Sequence, residues 1–263
     1  MNKLELDCAT WTVEDGVGVL TLNRPDRLNA LSDDLVSDID RVLVQAKSQV
    51  SVRAVVITGA GRGFSSGADV QNWASGEDAE LAEPWPPKMH RVMTRLYWLP
   101  KPVIAAVNGV AVGAGCDLTL ACDLRFASTK ARFGEVYMRL GFCPDAGGSF
   151  LLPKIVGEAR ASEMIYTGRI IDAAEAERIG LVSEVVEPEN LMARAMEQAT
   201  IFASGPTVAI GIAKENIRSG YTSTFEQALR NELRGGDLCG KTEDHVEGLK
   251  ATIEKRDAVF VGR

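Results

Sequence analysis

The sequence predicts an α/β fold followed by a helical C-terminal region. Up to about residue 190, short apolar segments typical of strands alternate with segments of helical periodicity, which is the order that α/β folds produce. Beyond that residue the apolar positions recur with helical spacing alone. The chain has 263 residues, of which 46% are hydrophobic and 25% charged, as in a globular protein with a large core. We therefore expect a core over residues 1–190 and a helical region over residues 191–263.

The first predicted elements are a strand, a helix and a second strand. Residues 16–23 (GVGVLTLN) alternate apolar and small residues like a strand, and the Pro- and Asn-containing segment that follows ends it. Ser32 is a typical helix N-cap, and the acidic residues after it favour a first helical turn. Residues 53–58 (RAVVIT) predict a buried strand, and the Pro-rich stretch from Ser75 to Lys88 is typical of a surface loop. The apolar residues that share one face of the predicted helix are Leu35, Val36, Ile39, Val42 and Leu43.

The elements of the second half continue this alternation. Residues 103–108 predict a strand, the Gly-rich residues 109–115 a turn, residues 116–122 a short helix and residues 124–127 a strand. After Val186 the pattern changes to amphipathic helices. These are expected near residues 188–203, 206–218, 225–238 and 242–256.

Charge and composition exclude several classes of function. The net charge of −7 gives no long-range attraction to nucleic acid or to an anionic membrane. No segment approaches the ~20 apolar residues that span a bilayer, and MNKLELDCAT lacks the pattern of an export signal. The five cysteines show no CxxC spacing, and His90 and His245 are the sole histidines, so neither a metal site nor a disulfide framework is expected. We expect a cytoplasmic protein that acts on a small molecule.

Two short motifs suggest other enzymes. Residues 53–63 (RAVVITGAGRG) imitate the strand and Gly-rich turn of a dinucleotide-binding fold, but the glycine spacing differs from GxGxxG. Residues 63–67 (GFSSG) match the GxSxG motif of α/β hydrolases, which makes Ser65 and His245 a candidate nucleophile and base. An extra Gly-rich turn separates this motif from its strand, which argues against the hydrolase.

Two Gly-rich turns have the same design. GRGFSSGAD (residues 61–69) and GVAVGAGCD (residues 109–117) each follow an apolar strand and end in Asp. Small residues let a ligand approach the backbone, and two exposed N–H groups that converge on one carbonyl oxygen form an oxyanion hole. For either turn alone, tight packing of the turn on a sheet is the simpler interpretation.

Four segments in order resemble the crotonase superfamily of enoyl-CoA hydratases and isomerases, and the resemblance extends from LNRPDRLNAL (residues 22–31) to the terminal EKRDAVFVGR. The four segments are RAVVITGAGRGFSSGAD, KPVIAAVNGVAVGAGCDLTLACDLRFAS, FGEVYMRLGFCPDAGGSFLLPKIVG and TGRIIDAAEAERIGLVSEVV.

The resemblance implies a spiral of strand-strand-helix units and an acyl-CoA thioester as the substrate, with coenzyme A as part of that substrate and no separate cofactor or metal. It implies that the C-terminal helices form a homotrimer or a dimer of trimers. The backbone N–H groups of Ala68 and Ala114 correspond to the family's oxyanion donors, which stabilise an enolate. The resemblance therefore implies that the two Gly-rich turns form an oxyanion hole.

The carboxylates point to a reaction type. Hydratases of the family use two glutamates, and this chain has Asp117 at the first position and Tyr137 at the second. Asp145 lies where some isomerases of the family carry a catalytic Asp. One carboxylate that removes a proton at one carbon and returns it at another is sufficient to move a double bond. We therefore favour an isomerase, with Asp145 as the main proton shuttle and Asp117 as its partner or as an orienting group.

Several alternatives stay open. Asp117 with Glu135 or Asp145 could activate water, which would make the protein an enoyl-CoA hydratase. A non-catalytic acyl-CoA-binding protein is a further alternative. Locally, Asp145 could be a turn residue or the N-cap of the segment that begins at Gly147, and Asp117 could simply favour a helix N-terminus.

The resemblance also suggests residues that contact coenzyme A. Ser66 and Ala68 lie near the expected adenine position, and Arg24 near the pantetheine or phosphates. Lys255 is a candidate phosphate contact that could reach a neighbouring subunit. Asp69 and Tyr137 complete the set of candidate substrate-binding residues.

Overall fold

Ten strands form two sheets in the computed structural model, which describes residue 4, residues 6–70 and residues 84–263. The larger sheet has the order β1-β2-β3-β5-β7-β10, and the smaller has the order β4-β6-β8-β9. The larger sheet consists of β1 (Ala9–Glu14), β2 (Val17–Leu22), β3 (Ala54–Gly59), β5 (Val103–Val107), β7 (Leu124–Ser128) and β10 (Glu184–Val186). The smaller sheet consists of β4 (Gly63–Ser65), β6 (Val110–Val112), β8 (Arg132–Gly134) and β9 (Ile171–Asp172).

From β3 to β8, consecutive strands alternate between the two sheets. β3, β5 and β7 are parallel neighbours in the larger sheet, and the strand that follows each of them lies in the smaller sheet. β4, β6 and β8 are likewise parallel neighbours. The repeating unit is therefore a long strand, a short strand and a helix, which is the spiral that the resemblance implies.

Ten α-helices cover the sheets within the described residues. The first five are α1 (Asp33–Ser48), α2 (Trp85–Tyr97), α3 (Ala114–Leu120), α4 (Gly148–Val156) and α5 (Glu158–Thr167). The other five are α6 (Ala173–Arg178), α7 (Leu191–Ser204), α8 (Thr207–Gly220), α9 (Phe225–Cys239) and α10 (Glu243–Glu254). None of these helices is long and apolar enough to cross a membrane.

Two hydrophobic clusters hold the helices on the sheets. The larger one contains buried residues of α1, α2 and α3 together with residues of both sheets. In the second cluster, α7 packs on the other face of the larger sheet. Its residues Ala195, Ala199 and Ala203 cluster with residues such as Val56 and Ile104. Alanines spaced by four residues lie on one helix face, and their small side chains let the helix approach the strands closely. The division of the chain at residue 190 stays a prediction.

Most of the predicted elements are confirmed. Ser32 caps α1, since its Oγ accepts a hydrogen bond from the N–H of Leu35. Two expectations were wrong. Residues 109–115, predicted as a turn, contain β6, because Val110–Val112 pairs with β4 and β8. Trp85–Lys88, the end of the predicted loop, form the first turn of α2, where prolines are tolerated because the first N–H groups of a helix have no acceptor. The rest of that predicted loop, residues 75–83, lies outside the described residues.

Candidate active site

The candidate site lies where the strands of the smaller sheet end. β4, β6 and β8 run parallel, so their carboxyl ends lie at the same edge. Ala68 follows β4, Ala114 and Asp117 follow β6, and Glu135 and Tyr137 follow β8. Residues that are far apart in the sequence are thus brought together by strand pairing.

The two Gly-rich turns are in contact with each other. Gly67 has φ = +87°, and a Cβ added there would lie 2.7 Å from the carbonyl oxygen of Val112 and 3.4 Å from the backbone N of Ala114. Only glycine fits this position, because a side chain would meet both the left-handed φ penalty and the neighbouring backbone. Outside the regular elements of the described residues, neither Ala68 nor Ala114 donates a backbone hydrogen bond. The two turns that carry these N–H groups therefore pack against each other, as the predicted oxyanion hole requires.

Ala114 owes its position to the start of α3. Gly113 is the N-cap, with φ = +54°, and its N–H donates to the carbonyl oxygen of Gly134 at 2.9 Å. The N–H groups in the first turn of a helix have no partner within the helix and carry a partial positive charge. Such a group can stabilise negative charge on a substrate oxygen.

Asp117 lies one turn further along α3 and is fully buried. Its Oδ2 accepts a hydrogen bond from the hydroxyl of Tyr137 at 2.5 Å. Tyr137 is itself buried, in a 3₁₀-helix over Val136–Leu140 that directly follows β8. Asp117 therefore has a specific buried partner in addition to its place in the first turn of α3, and its catalytic role stays a prediction.

Glu135 faces the other side of the Asp117 carboxyl. A Cβ added to Gly148 would lie 2.3 Å from Oδ1 of Asp117 and 2.9 Å from Oε2 of Glu135, so both oxygens point to the first residue of α4. Glu135 is fully buried. Neither of its carboxyl oxygens, nor Oδ1 of Asp117, meets a hydrogen-bond donor among the described residues.

Asp145 lies in the segment before α4 and is partly exposed. Its Oδ1 has no hydrogen-bond partner among the described residues. The segment is held from α2, where Nε2 of His90 lies 2.6 Å from the carbonyl oxygen of Asp145. Gly147 is the N-cap of α4 and has φ = +102°, without a side-chain cap. The alternative in which Asp145 caps this helix is therefore wrong.

The electrostatics of the cluster favour protonated carboxyl groups. Burial, and next the charge of Glu135, raise the pKa of Asp117 well above its usual range, although the Tyr137 hydrogen bond opposes this. Burial raises the pKa of Glu135 to about 7. Burial also raises the pKa of Asp145, against the opposing effects of His90 and the Tyr137 hydroxyl. At neutral pH the site can therefore both hold and accept protons.

The candidate coenzyme A residues lie around the first Gly-rich turn, except for Lys255. Arg24 donates to the carbonyl oxygen of Ala30 at 2.7 Å and forms an ion pair with Asp69 at 2.9 Å. Arg24 and Asp69 thus brace the turn that carries Ser66 and Ala68, and Ser66 is partly exposed. Lys255 ends α10 and is exposed. Its contact with a neighbouring subunit stays a prediction.

The structure argues against the hydrolase alternative. Ser65 is buried, its hydroxyl donates to the carbonyl oxygen of Asn29 at 2.8 Å, and it accepts from the N–H of Gly67 at 3.2 Å. His245 is exposed in the first turn of α10. Ser65 holds the Gly-rich turn in place and is not presented to a base. Within residues 6–70 and 84–263, no three His, Cys, Asp or Glu side chains are grouped as metal ligands require.

Comparison with known proteins identifies the family. The family model for enoyl-CoA hydratase/isomerase matches residues 12–263. The chain belongs to the enoyl-CoA hydratase/isomerase family. The family acts on acyl-CoA substrates, which supports the predicted small-molecule substrate, and the predicted fold is confirmed.

Individual relatives carry both types of name. A short-chain-enoyl-CoA hydratase from Clostridium acetobutylicum is 40% identical over 254 residues, which are 96% of this chain and 97% of that protein. A 1,2-epoxyphenylacetyl-CoA isomerase from Escherichia coli is 37% identical over 254 residues, which are 95% of this chain and 97% of that protein. The crystal structure of an enoyl-CoA hydratase from Bacillus anthracis superposes with a TM-score of 0.88 at 36% identity and covers 100% of both chains.

Two features of this family member were missed in the sequence. Glu135 was considered as a replacement for a hydratase glutamate, but its position opposite Asp117 was not predicted. His90 was considered only as a metal ligand, and the structure places it against the Asp145 segment. The one local feature of the sequence that could have indicated the close packing around Asp117 and Glu135 was Gly148. A second glycine at a helix start indicates a close approach by another group.

Proposed function

We propose that this enzyme isomerises an enoyl-CoA, moving a double bond through an enolate intermediate. The observation that carries the proposal is the hydrogen bond from Tyr137 to Asp117. At the position of the second hydratase glutamate stands a phenol that cannot act as a carboxylate, and its hydroxyl donates to Oδ2 of the buried Asp117 at the first position. Asp145, with its unpartnered Oδ1, is then the carboxylate available to the substrate.

The oxyanion donors supply the largest part of the catalysis in this proposal. An α-proton of a thioester is too weakly acidic to be removed near neutral pH unless the enolate charge is stabilised as it develops. The N–H groups of Ala68 and Ala114 perform this role from two rigid turns. Loss of one such donor lowers turnover by a factor of about 10²–10³ in other enzymes.

The proton transfers are then assigned to Asp145. As a carboxylate it removes the proton from one carbon of the enoyl chain, and as a carboxylic acid it returns a proton to the other carbon. Its raised pKa fits this double role, because a group that alternates between acid and base works best near the ambient pH. His90 holds the backbone of Asp145 and thereby orients the carboxyl group.

An enoyl-CoA hydratase is the second candidate function. Hydratase names are more common among the relatives, and one such relative is 40% identical. The hydratase reaction would require Asp117 with Glu135 or Asp145 to bind and activate a water molecule. The Tyr137 hydroxyl argues against a hydratase, because it donates a hydrogen bond to the Asp117 oxygen that would face the water.

The deciding experiment follows 2-enoyl-CoA and 3-enoyl-CoA in deuterated water by mass spectrometry and NMR. We expect double-bond migration with deuterium exchange at the α or γ carbon, and loss of both in Asp145→Asn. Asp34→Asn, which changes an exposed Asp of α1, is the matched control. Incorporation of solvent oxygen without migration would instead establish a hydratase. Tight acyl-CoA binding with neither exchange nor addition would favour a non-catalytic binding protein.

The C-terminal helices are proposed to mediate self-association into a trimer or a dimer of trimers. Phe225, Leu229 and Leu233 follow each other at intervals of four residues on α9 and are 73%, 48% and 69% exposed. Residues at this spacing form one helix face, and an apolar face of this size favours contact with another protein surface.

A further inference from the structure

Asp117 and Glu135 are two buried carboxyl groups with no cation between them. Oδ1 of Asp117 and Oε2 of Glu135 both lie within 3 Å of the point where a Cβ on Gly148 would stand, and both residues are fully buried. The described groups that act on the Glu135 carboxyl are Cys116 and Asp117, and neither is a cation. Two ionised carboxylates in contact in a buried site repel each other strongly, so such pairs retain a proton.

The position of that proton follows from the available partners. Oδ2 of Asp117 already accepts from Tyr137, whereas Oδ1 meets no donor among the described residues. A proton between Oδ1 of Asp117 and Oε2 of Glu135 gives both oxygens a hydrogen-bond partner. The burial of two unpartnered acceptors would otherwise cost about 1–3 kcal/mol each.

Tyr137 holds the other oxygen of the Asp117 carboxyl. Its hydroxyl donates to Oδ2 of Asp117, so the order of groups is Tyr137, Asp117 and Glu135. Other titratable groups that act on this row are the Cys116 thiol from α3 and the Asp145 carboxyl.

We propose that Asp117 and Glu135 share one proton between Oδ1 and Oε2, and that Glu135 is thereby a positioning residue for Asp117. The shared proton holds the Asp117 carboxyl in the orientation in which Oδ2 accepts from the Tyr137 hydroxyl. The pair then carries one negative charge in place of two, and Tyr137 keeps its hydroxyl proton.

The shared proton can be tested without any substrate, whereas the effect of Glu135 on turnover rests on the proposed isomerase function. Infrared spectroscopy of the wild-type protein at pH 8, above the pKa of about 7 of Glu135, is expected to show the carbonyl band of a buried carboxylic acid, because exposed carboxyl groups are ionised there. We expect Glu135→Gln to lose this band, since the Gln amide can donate to Asp117 and leave it ionised. Glu158→Gln, which changes an exposed Glu of α5, is expected to retain it.

The outcomes separate the two proposals. Absence of the band in the wild-type protein at pH 8, or its survival unchanged in Glu135→Gln, would overturn the shared proton, and the first of these requires no variant to fold. With an enoyl-CoA substrate, Glu135→Gln is expected to lower kcat about tenfold or more with little change in KM, because Glu135 is buried behind Asp117. An unchanged kcat and pH profile would overturn the positioning role. Absence of all isomerisation in the wild-type protein would refute the proposed function and leave the shared proton standing.

Discussion

The hydroxyl of Tyr137 donates to Oδ2 of Asp117 at 2.5 Å, with both side chains buried. The hydroxyl thus satisfies one oxygen of the Asp117 carboxyl, whereas Oδ1 has no hydrogen-bond donor among the described residues. Under the proposed isomerase function, this contact leaves Asp145 as the carboxylate that transfers protons, so we expect the choice of chemistry to depend on Tyr137.

Tyr137→Phe tests that contact. The change leaves Oδ2 of Asp117 without a donor and removes the hydrogen bond that opposes the rise in the pKa of Asp117, so that pKa is expected to rise further. Loss of a hydrogen bond to a buried group costs about 1–3 kcal/mol in unfolding free energy. We expect that loss in urea unfolding, together with a fall in kcat on the order of tenfold or more.

The matched control is Tyr166→Phe, which removes a hydroxyl from a residue that is 73% exposed. It should leave both stability and turnover unchanged. Wild-type turnover in Tyr137→Phe would show that the hydroxyl has no part in the reaction.

Gly67→Ala tests the oxyanion site. The residue has φ = +87°, and an added Cβ would lie 2.7 Å from the Val112 carbonyl oxygen, so the turn and the N–H of Ala68 must move. We expect kcat to fall by about 100-fold or more, as after loss of an oxyanion donor. Unfolding free energy should also fall, because a left-handed non-glycine residue costs about 1–2 kcal/mol.

Gly141→Ala separates these two effects. Gly141 has φ = +66° but nothing lies within 4 Å of an added Cβ. This variant should lose the same unfolding free energy, because its alanine also has a left-handed backbone, but its kcat should be close to that of the wild type. Equal loss of activity in the two variants would mean that the effect is not specific to the Ala68 turn.

The two turns also show how far the sequence could be interpreted without the structure. Ser32 and α1 were predictable because an N-cap and an apolar helix face are local patterns. The approach of Glu135 to Asp117 was not, because it depends on the parallel pairing of β6 with β8, for example of Ala111 with Phe133. That pairing places residues some twenty positions apart at one edge, and no local pattern encodes it.

The same argument applies to the predicted turn at residues 109–115. Three of its residues, Val110–Val112, form β6, and they do so only because strands exist on both sides of them. A segment of three residues between glycines has too little periodicity to be recognised as a strand. A short helix after this turn was predicted at residues 116–122, and it begins two residues earlier, at Ala114, with Gly113 as its N-cap.

Stability should depend on pH through Glu135. Its pKa rises from 4.5 to about 7 on folding, so the folded state binds more protons than the unfolded state between these values. The unfolding free energy contributed by this group therefore decreases as pH rises from about 4.5 to about 7. One pKa unit corresponds to about 1.4 kcal/mol, so the decrease is at most about 3 kcal/mol.

Urea unfolding at pH 5 and pH 8 measures this effect. Glu135→Gln should show a smaller decrease in unfolding free energy between the two pH values than the wild-type protein, whereas Glu158→Gln should behave like the wild type. A Glu135→Gln variant with the wild-type pH dependence would mean that Glu135 titrates alike in the folded and unfolded states.

Self-association should depend on the exposed face of α9. Leu233→Asp places a charge among Phe225 and Leu229, and burial of an unpaired charge in an interface is strongly unfavourable. Light scattering after size-exclusion chromatography should show a shift from the oligomer to a smaller species. Val50→Asp changes an apolar residue that is 76% exposed outside this region, and it should leave the oligomer intact.

Gly148→Ala tests the acid pair by geometry alone, without changing any titratable group. The added methyl group would lie 2.3 Å from Asp117 and 2.9 Å from Glu135, so one carboxyl group must move. Insertion of a methyl group into a packed site costs about 1–3 kcal/mol. We expect that loss in urea unfolding, a large fall in kcat and loss of the infrared band of the shared proton.

Gly236→Ala is the helical control, since an added Cβ there has nothing within 4 Å. Alanine is a better helix former than glycine by up to about 1 kcal/mol, so this variant should be as stable as the wild type or more stable. The comparison matters because Gly148 also lies in a helix, and a simple gain in helix propensity would stabilise it too. If Gly148→Ala is stabilised like Gly236→Ala and retains turnover, Asp117 and Glu135 can separate without consequence, and the acid pair has no role in the reaction.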